Sequence, residues 1–339
     1  MGFSSSALYP IRMSVASTQG PPATGRYRAL VLLAAAELLA MTLWFSASAV
    51  GPELAAAWGL SGAETAWLTN AVQLGFVVGA LGSAALTLSD AVPPRYLVAV
   101  SAAVGAAATA AIALAVSSFL PAVLLRLLTG IALAGVYPPG MKLMAGWFQR
   151  GRGFAIGALV GALTVGSAMP HLLRAVGGVG QPRLVLLGAA GLALVGGALA
   201  LFVRPGPYQA PAAPFDPGAV RRMVRDRGTM LANLGYFGHM WELYAVWAWI
   251  PVYLSASFAA GTGGSPALAA LLAFGTIGVG GAGALVAGSL ADRLGRTTVT
   301  SVSMVVSGLA CVGAGVVFGG PLLVLVPFVL LWGFAIVAD

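Results

Sequence analysis

Ten apolar runs, each close to the length that crosses a lipid bilayer, occupy most of this chain. They cover residues 28–50, 64–86, 96–116, 119–141, 153–174, 183–203, 229–256, 266–290, 298–317 and 320–338. A hydrocarbon core about 30 Å thick is spanned by about 20 helical residues at about 1.5 Å each. Backbone groups in lipid must bond within their own segment, so these runs predict helices. Apolar residues make up 59% of the chain and charged residues 8%, against about 25% charged in an ordinary soluble domain. Too little charge remains to coat a soluble surface. The expected fold is therefore an all-α membrane protein. Gly and Ala recur through the runs, as expected where helices approach closely without a hydrophobic drive between them.

The basic residues set the expected orientation. With the N-terminus inside, the inner loops hold Arg12, Arg26, Arg28, Arg95, Lys142, Arg150, Arg152, Arg204, Arg221, Arg222, Arg225, Arg227, Arg293 and Arg296; the outer loops hold only Arg174 and Arg183. This asymmetry places the N-terminus in the cytoplasm. The net charge of +8 lies in short loops, with no contiguous basic face or aromatic platform, which excludes nucleic acid as a partner. Residues 1–27 lack the apolar core of a signal peptide and form an expected cytoplasmic tail. Sixteen Arg against one Lys, with much Ala and Gly, points to a GC-rich bacterial genome and hence to the inner membrane. The single cysteine, Cys311, sits inside an apolar run, where helix packing is its expected role.

Residues 205–228 form the longest polar interruption, with five prolines followed by four arginines. Asp216-Pro217 can open a helix, Asp as cap and Pro in the first turn. Arg221, Arg222 and Arg225 would then lie near the anionic leaflet. The plainer expectation is a solvated cytoplasmic linker. Either way it divides a six-helix half, 28–204, from four helices in 229–339. The two parts repeat weakly. Glu37-Leu38 precedes Trp44 as Glu242-Leu243 precedes Trp249, and Asp90 stands in a loop matching that of Asp292. Duplicated, pseudo-symmetric halves are a common construction of membrane carriers.

Between the eighth and ninth runs lies Gly288-Ser289-Leu290-Ala291-Asp292-Arg293-Leu294-Gly295-Arg296. This resembles the cytoplasmic loop pattern Gly-x-Leu-Ala-Asp-Arg-x-Gly-Arg of the major facilitator superfamily (MFS). Arg126-Leu127-Leu128-Thr129-Gly130 resembles that family's fourth-helix pattern Arg-x-x-x-Gly, often tied to proton coupling, with Thr in place of the usual Gln. The resemblance implies an MFS-type bundle of twelve helices, of which about ten are present. It implies that Gly288, Asp292, Arg293, Gly295, Arg296 and Asp90 form a conformational-switch loop system. It also implies that the 82–95 loop packs near an eleventh helix, so that a chain stopping after ten spans would deprive Asp90 of its expected partner. The fifth run lacks the Gly-Pro step of drug antiporters in the family. The general look of the chain is similar to the nitrate/nitrite and cyanate branch, but the arginines that nitrate carriers use in the second and eighth spans are absent. No Gly-x4-Gly-Lys-Ser/Thr motif occurs, so transport would be secondary.

Charges inside a span cost about 2.5–3.5 kcal/mol each on insertion scales and need a reason. Glu37 lies ~14 Å into the first run, near the midplane. His239 and Glu242 lie at similar depth in the seventh, three residues apart and hence on one face. Desolvated carboxylates and histidine are suited to taking up and releasing a proton. Structural hydrogen bonding to neighbouring helices is the alternative role for both acids. Arg126 needs a partner, and Glu37 is the candidate. Tyr236 and Tyr244 flank His239 and Glu242 and fit a pocket with polar handles on an apolar wall. Asn70, Gln73 and Asn233 are further hydrogen-bonding candidates. His171 and Arg174, beside Pro170, read as a helix end rather than a site.

These residues predict a secondary transporter of a small organic or anionic solute, coupled to protons, working as a monomer in the bilayer, with no cofactor and no metal site. A non-transporting sensor on the same fold, or an inactive truncated remnant, is the alternative. A membrane enzyme is disfavoured, because neither a nucleophile–base constellation nor His-Glu-x-x-His occurs.

Overall fold

A computed structural model describes residues 23–149, 151–209, 217–261 and 263–338. Helices are its only regular secondary structure among the described residues. The helices are α1 (Ala23–Met41), α2 (Ser46–Ala49), α3 (Gly51–Trp58), α4 (Gly62–Ala85), α5 (Leu88–Ala91), α6 (Pro94–Ala115), α7 (Phe119–Leu133), α8 (Tyr137–Ala145), α9 (Arg152–Leu173), α10 (Pro182–Ala200), α11 (Pro217–Arg225), α12 (Arg227–Ala260), α13 (Pro266–Leu294), α14 (Arg296–Val317) and α15 (Leu322–Ile336). Eight helices, counting α7 with α8 as one and α9 with the turn that follows it as one, are long and apolar enough to cross a membrane. The first and tenth runs correspond to α1 and to the shorter apolar α15. The helix ends that carry Arg95, Lys142, Arg152, Arg204, Arg227 and Arg296 define one end of the bundle, here called the basic end, and the other is the opposite end.

Two of the runs are not continuous helices. The fourth breaks into α7 and α8 at Ala134–Val136, because Pro138 and Pro139 lack the N–H groups that would continue the ladder. The backbone tightens through Gly135 N–H to Ala132 O, 2.9 Å, and Val136 N–H to Leu133 O, 3.0 Å. The first run breaks at Thr42–Phe45. There the Thr42 hydroxyl donates to Leu39 O (2.7 Å) and Ala189 O (3.0 Å), and the Ser46 hydroxyl donates to Leu43 O (2.9 Å). Side-chain hydroxyls that bond main-chain carbonyls compete with the helical ladder. The break leaves carbonyls free for other partners.

Small residues let helix backbones touch. At the α4–α7 crossing, Gly75 lies against the Leu127 carbonyl and Gly130 against the Val72 carbonyl, with no room for a Cβ at either. Gly161 of α9 and Gly281 of α13 face one another, and a Cβ added at either would lie 3.1 or 3.0 Å from the other's carbonyl oxygen, closer than ordinary van der Waals contact. Carbonyl contacts of this kind are what small residues permit inside lipid.

Several expectations are corrected here. Within the linker, Tyr208 N–H bonds Gly146 O (2.9 Å) and the Trp147 indole bonds Arg204 O (2.9 Å), tying its first residues to the end of α8. Residues 217–225 form the helix α11 with Arg221, Arg222 and Arg225 exposed; Asp216 lies outside the described residues, as do Arg12, Arg150 and most of the 1–27 tail. Cys311 is exposed on α14 rather than packed. Asp90 does not lack a partner, since Lys142 of α8 forms an ion pair with it and also donates to Ser89 O at 2.9 Å.

Candidate binding cavity

A cavity of about 690 Å³ lies between α1, α4, α8, α9, α12 and α14. Its inner part is aromatic. Trp44, at the α1 break, stacks on Tyr244 of α12 with ring centroids 5.7 Å apart and planes 21° from parallel. Phe76 of α4 lies 5.0 Å from Trp44, and Trp247 closes the space beside Tyr244 at 6.0 Å. Tyr137 opens α8 on the facing wall, with Leu163 and Thr164 of α9 beside it. Towards the basic end the walls become Ala232, Gly235, Tyr236 and His239 of α12, and Arg296, Thr297, Thr300 and Ser301 of α14. Ala232 lies within two turns of the start of α12, and Arg296 is the first residue of α14. The cavity therefore opens at the basic end.

Beyond Trp247 the path to the opposite end is filled. Ile250, Leu254 and Phe258 are buried in the core. The Tyr253 hydroxyl donates to Ala314 O (2.7 Å), and Gly319 N–H donates to the Ser257 hydroxyl (2.9 Å), joining α12 to the far end of α14. Arg174 holds Glu53 through Nε (3.1 Å) and Nη2 (2.8 Å), joining the end of α9 to α3. His171, one turn before Arg174, is fully buried and its ring nitrogens have no hydrogen-bond partner among the described residues.

Arg126 is fully buried in α7 and is not paired with Glu37. Its Nε donates to Leu68 O (3.0 Å) and its Nη1 to Leu43 O (2.9 Å) and the Ser46 hydroxyl (3.1 Å); Nη2 donates to Trp44 O. The broken first run supplies carbonyls that a guanidinium can reach in several directions at once, so this cation caps a helix break instead of meeting an acid. Glu37 is also fully buried. Its carboxylate lies against Gly140, one turn along α8 from Tyr137, and neither oxygen has a hydrogen-bond partner among the described residues.

The other sequence candidates divide. Tyr236, His239 and Tyr244 line the cavity. Glu242 does not: it accepts from the Ser307 hydroxyl of α14. Three residues turn a helix by about 300°, leaving about 60° between side chains, enough here to send His239 into the cavity and Glu242 towards α14. Asn70 is exposed, Gln73 and Asn233 are half-buried, and none of the three lines the cavity. In the loop after α13, Gly288 is helical, Gly295 turns the chain with φ +86°, and Arg293 is exposed; the Asp292 side chain lies outside the described residues. Among the described side chains of that loop, Arg296 alone lines the cavity. Sequence reading missed Tyr137, Phe76, Thr164 and the α14 stripe of Thr297, Thr300, Ser301 and Met304. The stripe follows helical spacing at the start of a span, a signal that could have been found. The Trp44 repeat partner, Trp249, is 63% exposed, whereas Trp44 is 4% exposed.

A bundle of apolar helices around a cavity with polar groups on α8, α9, α12 and α14 defines a polytopic membrane protein with room for a small molecule. Residues 32–338 match the model of the major facilitator superfamily, and the chain belongs to that family of membrane transporters. No curated protein matches the sequence. Among solved structures, the fold is similar to the nucleoside transporter NupG, in a mutant form (TM-score 0.63, 17% identity, 91% of this chain and 80% of that one). It is also similar to the proton:xylose symporter XylE bound to 6-bromo-6-deoxy-D-glucose (0.64, 15%, 93% and 80%). A third likeness is to a bacterial homologue of the human lysosomal transporter Spinster, in an inward-facing and unoccupied conformation (0.61, 16%, 94% and 74%). At these identities the likeness establishes the fold.

Proposed function

We propose that the chain is a secondary transporter of a small organic or anionic solute, that it works by alternating access, and that the cavity between Trp44 and Arg296 is its solute site. The observation that carries this reading is the one-ended cavity: open at the basic end, closed at the other by Ile250, Leu254 and the Arg174–Glu53 pair. With the basic end in the cytoplasm, as the arginine distribution favours, this is an inward-open state. Protons are the proposed coupling ion. Glu37 and His239 are the groups for that role, because one is buried and unbonded beside Gly140 and the other lines the cavity; Glu242 serves α14 through Ser307. The proposed solute class follows a loose resemblance of the sequence to the nitrate/nitrite and cyanate branch, with nitrate itself disfavoured.

Alternating access is tested by spin-label distances in proteoliposomes. One pair, at Leu86 and Leu294, reads the basic end; the other, at Val176 and Leu323, reads the opposite end; all four side chains are exposed. A pH gradient is expected to lengthen one distance while it shortens the other. Single distances unchanged by the gradient at both ends would overturn the reading. Orientation is checked separately: in whole cells an impermeant thiol reagent should reach a cysteine at Val176 and leave one at Leu294 unlabelled.

A further inference from the structure

We propose that α11 docks in the surface of an anionic lipid leaflet, with Met223 and Val224 at the acyl boundary and its arginines on phospholipid phosphates. This surface is separate from the cavity and stands whether or not the cavity is a solute site.

The helix has two unlike sides. At about 100° per residue, Arg221, Arg222 and Arg225 share an arc of about 100°, and Met223 and Val224 lie together with their midpoint roughly 160° away. Both sides are exposed: Met223 keeps 42% and Val224 56% of its surface open, and all three arginines are exposed. A helix docked on protein would hide its apolar side. α11 packs against its neighbour α12 and against no other helix to a comparable extent. Basic residues on one side and aliphatic ones on the other suit a helix that lies in the plane of a bilayer surface. An arginine there lays its aliphatic stem along the apolar boundary and reaches phosphate oxygens with its fork of donors.

The helix also lies at the level of a headgroup layer. α12 starts at the basic end, and the chain turns there. Asp226 is extended (φ −80°, ψ 111°), and its carboxylate caps α12 by accepting from Thr229 N–H at 2.8 Å. α11 therefore departs from the axis of α12 instead of prolonging it into water. At the same end Arg26 lies over the Tyr27 ring at 4.8 Å and Arg95 over the Tyr96 ring at 4.6 Å, and both tyrosines are exposed. Exposed tyrosines at the ends of spanning helices mark the interface between hydrocarbon and water.

Charge selects the lipid. Residues 221–227 hold four arginines and one acid, and the acid is committed to the cap of α12. An anionic leaflet attracts such a cluster, whereas a zwitterionic one carries no net surface charge to attract it. Free phosphate would satisfy the arginines and leave the aliphatic side in water. Docking also secures a stretch that protein packing leaves open. No residue of α12 before Leu243 is buried, although Ala232, Gly235 and Tyr236 in that stretch line the cavity near its mouth.

The test uses the full chain with Cys311→Ser and one introduced cysteine, at Met223 or at Leu294, each labelled with the fluorophore NBD. Both positions are exposed, and Leu294 ends α13 at the same end of the bundle. The protein is placed in nanodiscs of phosphatidylcholine alone or of phosphatidylcholine with phosphatidylglycerol. Acrylamide serves as quencher because it is uncharged and indifferent to surface potential. With phosphatidylglycerol, emission from Met223→Cys should move to the blue and its quenching should fall about fivefold, as attraction of one or more basic residues predicts. Leu294→Cys should behave alike in the two lipids. High salt should return Met223→Cys towards its behaviour in phosphatidylcholine, since exposed charges are screened. R221Q/R225Q should abolish the lipid dependence at an unchanged melting temperature. The proposal is overturned if Met223→Cys is quenched equally in the two lipids, whether protected in both or open in both. It is equally overturned if Leu294→Cys shows the same shift, if R221Q/R225Q keeps the lipid dependence, or if inorganic phosphate in phosphatidylcholine discs protects the label as well as phosphatidylglycerol does.

Discussion

Arg126 donates through Nη2 to the main-chain carbonyl of Trp44, the residue whose indole forms the inner wall of the cavity. A buried cation on α7 thereby holds a break in α1, and the break presents an aromatic ring to the cavity. Arg126 also donates to Leu68 O of α4 and to Leu43 O, which accepts from the Ser46 hydroxyl as well, so one side chain ties the break to α4.

Each orphaned buried carbonyl costs about 1–3 kcal/mol. Arg126→Gln, with two N–H donors, loses at least two of the four donations and should lower the melting temperature in detergent. Arg126→Lys should recover little, because one ammonium cannot reach carbonyls in divergent directions. A lysine variant as stable as the parent would show that charge, not the fork, holds the break.

The α4–α7 crossing makes a second prediction about stability. A methyl group at Gly130 would run into the Val72 carbonyl, a backbone atom that cannot swing aside. Gly130→Ala should cost about 1–3 kcal/mol. Gly191 in α10 has open space around its Cβ position. Gly191→Ala should be neutral or stabilising by about 0.5–1 kcal/mol, since Ala is the better helix former. Thermal unfolding of the two variants side by side measures the difference, and equal behaviour would contradict the close approach.

The spans were legible because bilayer thickness imposes a length that composition alone reveals. The family was legible because Gly288–Arg296 and Arg126–Gly130 match patterns residue by residue. The breaks at Thr42–Phe45 and Ala134–Val136 were not. Both lie inside uninterrupted apolar runs, and what opens them is Thr42 and Ser46 hydrogen bonding in one and Pro138-Pro139 in the other. Only the prolines were a visible signal. The pairing of Arg126 with Glu37 failed for a related reason. Opposite charges in neighbouring spans suggest an ion pair, but a helix break supplies carbonyls that a sequence does not display. His239 and Glu242 show the limit of face arguments: a separation of about 60° counts as one face until a cavity wall divides it.

Glu37 presents a testable contrast. Its two oxygens are buried with no hydrogen-bond partner among the described residues, and burial of an unpaired charge is costly. Glu37→Gln keeps the shape against Gly140 and removes the titrating group. The variant should be at least as stable as the parent at neutral pH. Under the proposed coupling, it should also lose uphill accumulation of solute while retaining exchange. A marked loss of stability in Glu37→Gln would point to a structural partner for the carboxylate.

The Arg174–Glu53 pair closes the end away from the cavity mouth, and both side chains are largely buried, with 10% and 15% of their surface exposed. Removing one partner of such a pair leaves an unpaired buried charge, so the closed arrangement loses more than a surface bridge would contribute. Glu53→Gln should therefore shift the population towards the state open at that end, since an equilibrium moves by the differential energy of its two states. A cysteine at Leu254, fully buried just inside the pair, reports the shift. The background needs Cys311→Ser, because the native thiol is exposed. Labelling of Leu254→Cys by an impermeant reagent applied from the Arg174 side should rise about tenfold in Glu53→Gln, the effect of about 1.4 kcal/mol. The exchanged pair, Glu53→Arg with Arg174→Glu, should return labelling towards the parent rate. If Glu53→Gln labels no faster than the parent while its melting temperature falls, the pair holds the fold together without gating the cavity.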